Sequence, residues 1–274
     1  MTIKIITDST CDIPLPETRQ MGIEMVPLSV NFGDETFVDK FTITNKEFYK
    51  KLQTSAVMPT TTLANPQQFI EVFNRYHNDD IIGIFLSAKL SGTFQSAVIA
   101  KETVKRNNIY LIDSNTTTIG MALLIEQALK YQNEGKTTQE IIQKINELIP
   151  KVEIYAIFDT LKYLVKGGRI SASKGLIGNV LGVKPIIHLQ NGELTSIGKE
   201  RGMKKAITFV FNQINSKSEP DYNMPIAFAH SDNHEYLVNL AKNFPKENSK
   251  SYNIGSVVGT HAGPKAIAIA FFNK

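Results

Sequence analysis

Three short apolar segments in the first half of the chain constrain its fold more than any other feature. Each is rich in isoleucine and ends in serine: IKIITDS (3–9), IIGIFLS (81–87) and IYLIDS (109–114). Segments that are apolar on both faces are typical of strands buried within a parallel sheet. Amphipathic stretches that we expect to be helices lie at about 66–77, 91–107, 117–133 and 137–149. Alternating strands and helices predict an α/β/α domain with a parallel sheet.

Polar residues at the ends of these segments are expected to meet at one edge of the sheet. In open parallel sheets, ligands bind beyond the carboxyl ends of the strands. This rule places five side chains on one rim: Asp8, Ser9, Ser87, Asp113 and Ser114.

The second half of the chain has a different pattern, which predicts an α+β domain over residues 153–274 after an N-terminal α/β domain over 1–152. Asn191-Gly192 between two strand candidates predicts a hairpin with a primed turn. A ligand is expected in the cleft between the domains. The strand candidates are 154–160, 184–190, 193–198, 224–231, 252–259 and 266–272, and the helix candidates lie near 172–181, 201–216 and 233–243.

Composition and charge exclude several classes of protein. No apolar run approaches the roughly 18 residues of a membrane span, and the N-terminus lacks the layout of a signal peptide. The single cysteine, Cys11, excludes an intramolecular disulfide and an all-cysteine zinc site, and we expect it to be inert. A soluble cytoplasmic protein is therefore expected.

Basic residues are concentrated in one part of the chain. Between Lys162 and Lys205 nine basic residues are opposed only by Glu193 and Glu200. This stretch is either a solvated face or a docking surface for something anionic, such as a protein partner, a phosphate or a lipid surface. Nucleic acid is not expected, because no aromatic residues alternate with the basic ones to stack on bases.

Standard catalytic signatures are missing: there is no Walker-type loop, G-x-G-x-x-G, G-x-S-x-G or H-E-x-x-H. His230 and His234 are four residues apart, but no third metal ligand is evident, so no metal is expected. The simpler interpretation is that Ser231 or Asp232 caps the helix that follows.

The stretch LSAKLSGTFQSA (86–97) allows three interpretations: a nucleophilic serine, an anion site or a helix cap. As the N-cap, Ser91 would stabilise its helix by roughly 1 kcal/mol. Gly92 would let a ligand reach backbone N–H groups, and a helix N-terminus suits an anion. No general base adjoins Ser91 in sequence, although the fold can bring a distant histidine to it.

Three more stretches have a composition that is unusual for residues with a purely structural role. MPTTTLANP (58–66) groups three threonines between prolines, and residues 158–185 contain many glycines and small residues within an apolar segment. In GTHAGPKAIAIAF (259–271), His261 lies between Gly259 and Gly263. A histidine in a glycine-flanked turn at a strand end is well placed to meet a ligand.

Eight stretches in order resemble the DegV family, the fatty-acid-binding subunits of bacterial fatty acid kinases, and the resemblance covers essentially the whole chain. The family's threonine motif more commonly reads T-S-Q-P-S-P, whereas this chain has TTLANP at 61–66. The matching stretches are TDSTCDIP, PTTTLANPQQF, LSAKLSGTFQSA, IDSNTTTIG, DTLKYLVKGGRIS, LGVKPIIHLQNGEL, KERGMKKAI and VVGTHAGPKAIAIAF.

The resemblance implies a non-catalytic, two-domain α/β protein that buries one long-chain fatty acid and needs no cofactor or metal. It also implies that a separate ATP-dependent kinase subunit converts the presented carboxylate to acyl phosphate for phospholipid synthesis. Transient contact with a membrane surface is compatible with this role. At the matching positions, Thr61 with Thr62 beside it, Ser91, the Gly92 N–H and His261 would bind the carboxylate, and Arg169 and Arg201 would contact the partner or the phosphate.

The physics of burial makes this role plausible. A tail of about 14 methylenes offers on the order of 10 kcal/mol of gross transfer free energy, at about 0.8 kcal/mol each and before ordering costs.

Three alternative functions remain open at this point. One is a Ser91–His261 acyl hydrolase, and another is a relative of the substrate-binding half of dihydroxyacetone kinase, in which His261 would hold a small carbonyl compound. The third is a regulatory protein whose basic stretch binds DNA.

Overall fold

The computed structural model describes residues 2–171 and 182–274. Within these residues the chain forms a four-stranded, a six-stranded and a three-stranded sheet. The strands are β1 (Ile3–Asp8), β2 (Glu24–Val26), β3 (Ser29–Phe32), β4 (Glu35–Val38), β5 (Thr60–Thr62), β6 (Asp80–Phe85), β7 (Ile109–Asp113), β8 (Val152–Ile157), β9 (Val183–Gln190), β10 (Glu193–Arg201), β11 (Ile226–His230), β12 (Ser249–Asn253) and β13 (Ile267–Phe272). The helices are α1 (Leu15–Gln20), α2 (Asn45–Thr54), α3 (Pro66–Arg75), α4 (Thr93–Val104), α5 (Thr118–Asn133), α6 (Thr138–Leu148), α7 (Lys162–Lys166), α8 (Met203–Lys217), α9 (His234–Ala241) and α10 (Ser256–Ala262).

The four-stranded sheet confirms the predicted parallel α/β layer. Its strand order is β2-β1-β6-β7, and every neighbouring pair is parallel. The three strands predicted from their apolar runs are β1, β6 and β7, and Ile81, Ile82 and Ile84 of β6 have no exposed surface. Helix α5 packs against β1 on one side and against β11 and β13 on the other, which explains why most of its residues are buried.

The six-stranded sheet has the order β10-β9-β8-β13-β11-β12 and is antiparallel except for the β11–β12 pair. Helices α8 and α9 pack on one of its faces. The prediction of a mixed α/β fold with a separate sheet-and-helix part in the second half is confirmed. The helix predicted near 172–181 lies outside the described residues. Among the described helices, none combines the length and hydropathy that crossing a bilayer requires.

The segment 252–259, predicted as one strand, is instead the end of β12 followed by the start of α10. Helix α10 begins there because two aspartates distant in sequence accept its first N–H groups. The Gly255 N–H donates to Asp12 Oδ1 (2.9 Å), and the Ser256 N–H donates to Asp39 Oδ1 (3.1 Å). His261 therefore lies in the last turn of a helix rather than in a turn at a strand end.

The predicted cap of α9 is also wrong. The N-cap residue is Asn233, whose side chain makes no capping hydrogen bond to the helix, and its own N–H donates to His230 Nδ1 at 3.1 Å. Ser231 is occupied elsewhere, because its Oγ accepts the N–H of Ala266 at 2.7 Å.

The predicted hairpin at Asn191-Gly192 is confirmed, and it contacts the loop after β6. Asn191 (φ 52°) and Gly192 (φ 77°) both have the positive φ of a primed turn between β9 and β10. Lys89 Nζ donates to Asn191 O at 3.0 Å and lies 2.8 Å from Glu193 Oε1. A Cβ added at Gly192 would lie 2.6 Å from Ser87 Oγ. The hairpin turn therefore joins the two halves of the chain at the loop that contains Ser91.

This packing predicts that Gly192→Ala destabilises the protein more than the matched control Gly135→Ala. Both glycines have positive φ, but nothing lies within 4 Å of a Cβ at Gly135. The control therefore adds only left-handed strain, about 1–2 kcal/mol, while Gly192→Ala adds the clash with Ser87. Urea unfolding of the two variants measures the difference. An equal decrease in the free energy of unfolding for the two variants would contradict the close packing of the hairpin on the loop.

Candidate functional site

A cavity lies between the carboxyl-end rim of the parallel sheet and the inner face of the six-stranded sheet. Its volume, counted as space open to the centre of a water-sized sphere, is about 190 Å³. On that scale one water needs about 10–15 Å³, so the cavity has room for an extended ligand. Most of its wall is aliphatic and comes from both halves of the chain, including Leu28, Leu86, Leu90, Ile154, Leu189 and Ala268.

Part of the cavity wall is polar, and most of the predicted site residues are there. Thr61, Ser91, Gly92, Arg169 and His261 all line this one cavity. They come from β5, the loop before α4, the loop after α7, and α10. Thr61 Oγ1 lies 3.0 Å from His261 Nε2, although the two residues are 200 positions apart. The fold thus gathers hydroxyls, an imidazole and a guanidinium beside an apolar space.

Thr62 does not join this group. Because side chains alternate along a strand, it lies on the opposite face of β5 from Thr61. Its Oγ1 accepts a hydrogen bond from Asn31 Nδ2 at 2.9 Å, and the residue is exposed.

Ser91 lies one residue before the cap that the sequence predicted it to form. The N-cap position of α4 is Gly92, and Ser91 Oγ accepts the N–H of Thr93 at 3.3 Å. Within the part of the chain described, the Gly92 N–H has no protein acceptor. In the described residues, the start of a helix and a backbone N–H without a protein acceptor therefore coincide at the cavity wall.

His261 is bonded to Thr61, and no hydrogen bond joins it to Ser91 among the residues described. Burial, and then the charge of Arg169, lower the pKa of His261 to about 4, so the imidazole is neutral at pH 7. Its Nδ1 is buried without a partner in the described residues. Nδ1 faces Gly167, where any side chain would collide with the ring.

The positive charge of the site comes from Arg169. Its Nε donates to Leu90 O (3.1 Å) and its Nη1 to Gly167 O (2.5 Å), which hold the guanidinium at the cavity wall. Across the described residues it makes no ion pair with a carboxylate. Arg201, by contrast, is exposed at the end of β10 and does not line the cavity. The structure therefore separates the two arginines that the sequence grouped together.

The residues predicted on the rim do meet, but they hold the loops together. Asp8 is buried, and its Oδ2 accepts the N–H of Leu86 at 2.8 Å. Asp113 Oδ1 accepts the N–H of Ala88 at 3.2 Å, and the Ser114 N–H donates to Phe85 O at 3.0 Å. Their polar groups are used internally, so the cavity is lined by residues slightly farther along each loop.

Three threonines that the sequence analysis did not select also line the cavity: Thr10, Thr117 and Thr118. Thr118 has a φ of 46°, unusual for a β-branched residue, and its hydroxyl donates to Asp12 Oδ2 at 2.6 Å. Burial raises the pKa of Asp12 to about 7. The run Thr116-Thr117-Thr118 was the available signal for this part of the wall.

The structure offers no metal centre in the residues it describes, where no three His, Cys, Asp or Glu side chains converge. The rings of His230 and His234 lie 5.6 Å apart between centroids, and over residues 2–171 and 182–274 they belong to no group of three such side chains that could hold a metal ion.

Comparison with known proteins places these features in a family. The model of the DegV family, described as an uncharacterised protein family, matches residues 2–274. A DegV domain-containing protein from Caldanaerobacter subterraneus subsp. tengcongensis is 38% identical over 278 residues, which cover 99% of each chain.

Solved structures agree with this match over the whole fold. The structure of DegV from Bacillus subtilis, described as a fatty acid binding protein, has 30% identity and a TM-score of 0.85, and the match covers 100% of both chains. A DegV lipid binding protein from Thermotoga maritima has 27% identity and a TM-score of 0.89, over 100% of this chain and 99% of that one. The chain belongs to the DegV family.

Proposed function

We propose that this protein binds one long-chain fatty acid in the cleft between an N-terminal domain (1–152) and a C-terminal domain (153–274). The observation that supports this most directly is the cavity itself, which is mostly apolar and has a polar part that includes Thr61, Ser91 and His261. The B. subtilis relative, 30% identical over the whole chain, is described as a fatty acid binding protein.

The polar part of the cavity has the hydrogen-bond donors that a buried carboxylate needs. Burying a carboxylate is costly unless charge and hydrogen bonds compensate it. Arg169 supplies the charge, while the Ser91 hydroxyl and the Gly92 N–H supply donors. In our proposal the neutral His261 donates from Nε2 to Thr61 Oγ1, which leaves the Thr61 hydroxyl proton for the carboxylate. His261 thus orients Thr61 and adds no charge of its own.

The tail supplies most of the affinity in this proposal. Each methylene buried against aliphatic side chains contributes about 0.8 kcal/mol before ordering costs. Leu28, Ile154 and Leu189 belong to the wall that would cover it. The tail therefore sets the strength of binding, and the hydroxyls, imidazole and guanidinium set the orientation.

The proposal extends to a reaction performed by a partner. The protein presents the carboxylate, without catalysing a reaction itself, to a separate ATP-dependent kinase subunit in the cytoplasm. One carboxylate oxygen forms a bond to the γ-phosphorus of ATP, the bond from that phosphorus to the bridging oxygen breaks, and ADP leaves with the electron pair. The acyl phosphate then serves phospholipid synthesis, with transient contact at a membrane surface for exchange of the lipid. Exposed Arg201 in the basic stretch is our candidate for contact with the kinase.

The two adjacent threonines of β5 provide a matched test of the carboxylate site. We expect Thr61→Val to weaken palmitate binding by about tenfold or more, because a hydrogen bond to a charged group is lost. Thr62→Val changes the same chemistry on the opposite face and should stay within about twofold of wild type. Calorimetric titration of delipidated protein measures both. Equal effects of the two substitutions would contradict the assignment of Thr61.

If a kinase subunit docks on the basic stretch, a substitution there should slow phosphorylation of the fatty acid without changing the affinity for it. Arg201→Ala should leave palmitate affinity unchanged, because Arg201 does not line the cavity, and should slow acyl phosphate formation by the kinase subunit about tenfold. Lys217→Ala, an exposed basic residue outside the basic stretch, is the control and should change neither quantity. Loss of palmitate binding in Arg201→Ala would place this residue in the lipid site instead.

A further inference from the structure

Two buried carboxylates meet at the start of α10, and neither lines the cavity. A Cβ added at Gly255 would lie 2.7 Å from Asp12 Oδ1 and 3.5 Å from Asp39 Oδ1. Lys40 Cε lies 3.5 Å from the same point, and Lys40 Nζ is 3.9 Å from Asp12 Oδ1. No other cation of the described residues pairs with either carboxylate. Two buried acids therefore lie beside a single lysine.

Asp12 joins two helices that border the cavity from the two halves of the chain. Its Oδ1 accepts the N–H of Gly255 before α10, and its Oδ2 accepts the hydroxyl of Thr118, the first residue of α5. Thr118 lines the cavity with a φ of 46°, a left-handed conformation that is unfavourable for a β-branched residue. The hydrogen bond to Asp12 opposes that strain, so its loss would allow the start of α5 to relax.

The protonation state of Asp12 affects how stable this junction is. Burial, with a smaller contribution from the charge of Asp39, raises the pKa of Asp12 to about 7 against the opposing effect of Lys40. Because this pKa is above the ordinary carboxyl value, the closed junction binds the proton more tightly than an opened, solvated junction would. Protonation therefore favours closure, and this contribution is lost as the pH rises from the ordinary carboxyl range to about 7.

We propose that Asp12 is a positioning residue that acts as a proton-dependent latch: neutral Asp12 holds the starts of α5 and α10 together, and its ionisation loosens them and speeds lipid exchange. The part that concerns lipid rests on the proposed function. Ionised Asp12 adds a second buried negative charge beside Asp39, and water that reaches the carboxylate stabilises it. Access of water requires the two helices to separate, which moves the cavity wall at Thr118.

Other titratable groups near this junction determine the design of the test. Asp8, Cys11 and Tyr49 are buried around the two aspartates and Lys40, and burial raises the pKa of each. At the far end of α10, burial lowers the pKa of His261 to about 4, so its titration affects closure in the opposite direction. A comparison with a variant that lacks the Asp12 proton isolates the latch from these groups.

The test measures two rates on the full-length protein between pH 5.5 and 7.5. One is transfer of palmitate to excess albumin, and the other is amide hydrogen exchange of residues 252–262 without lipid. Asp12→Asn keeps an acceptor for the Gly255 N–H but does not ionise. We expect the ratio of the wild-type rate to the Asp12→Asn rate to rise about tenfold over this range. Asp34→Asn, which changes an exposed carboxyl between β3 and β4, is the control and should keep the wild-type profile.

Lys40→Gln tests the latch with Asp12 in place. Loss of the lysine charge raises the pKa of Asp12, so the midpoint of both profiles should move to higher pH. A constant ratio in Asp12→Asn would overturn the latch. An unmoved midpoint in Lys40→Gln would also overturn it, and this result decides alone where Asp12→Asn fails to fold.

The two rates separate failure of the latch from failure of the proposed function. A ratio that changes with pH for hydrogen exchange but not for palmitate transfer would overturn the role of Asp12 in lipid exchange. Failure of the wild type to bind palmitate at all would overturn the proposed function, and hydrogen exchange would still decide whether the latch exists.

Discussion

The arrangement of the site depends on two buried aspartates that hold the first N–H groups of α10. Asp12 accepts from Gly255 and Asp39 accepts from Ser256, across the boundary between the two halves of the chain. Burial of these carboxylates is costly, and helix N–H groups together with Lys40, 3.9 Å from Asp12, offset that cost. The last turn of the same helix contains His261, so this contact sets where the imidazole meets Thr61.

A second constraint is the neutrality of the imidazole. Burial and the neighbouring Arg169 keep His261 uncharged, so among the described residues that line the cavity the full positive charge belongs to Arg169. In our proposal the histidine therefore positions the Thr61 hydroxyl and does not attract the carboxylate by charge.

The sequence predicted elements whose pattern is local. The apolar runs of β1, β6 and β7 and the Asn191-Gly192 turn were identified because the signal lies within each segment. Features that depend on distant partners were missed. Helix α10 was taken for a strand because Asp12 and Asp39, which accept its first N–H groups, lie more than 200 residues away.

The candidate site residues show the same difference between what a local pattern predicts and what depends on the rest of the fold. Thr61, Ser91, Gly92 and His261 line one cavity, and their predicted role as carboxylate ligands stays a prediction; strand register alone decides that Thr61 faces the cavity and Thr62 does not. A one-residue shift in register would exchange them, and no local pattern distinguishes the two hydroxyls.

Organic extraction of freshly purified protein, followed by mass spectrometry, tests the central claim most directly. We expect close to one equivalent of long-chain fatty acid per chain, or stoichiometric uptake of palmitate where extraction finds none. A protein that is free of lipid and also fails to bind added palmitate or oleate would contradict it.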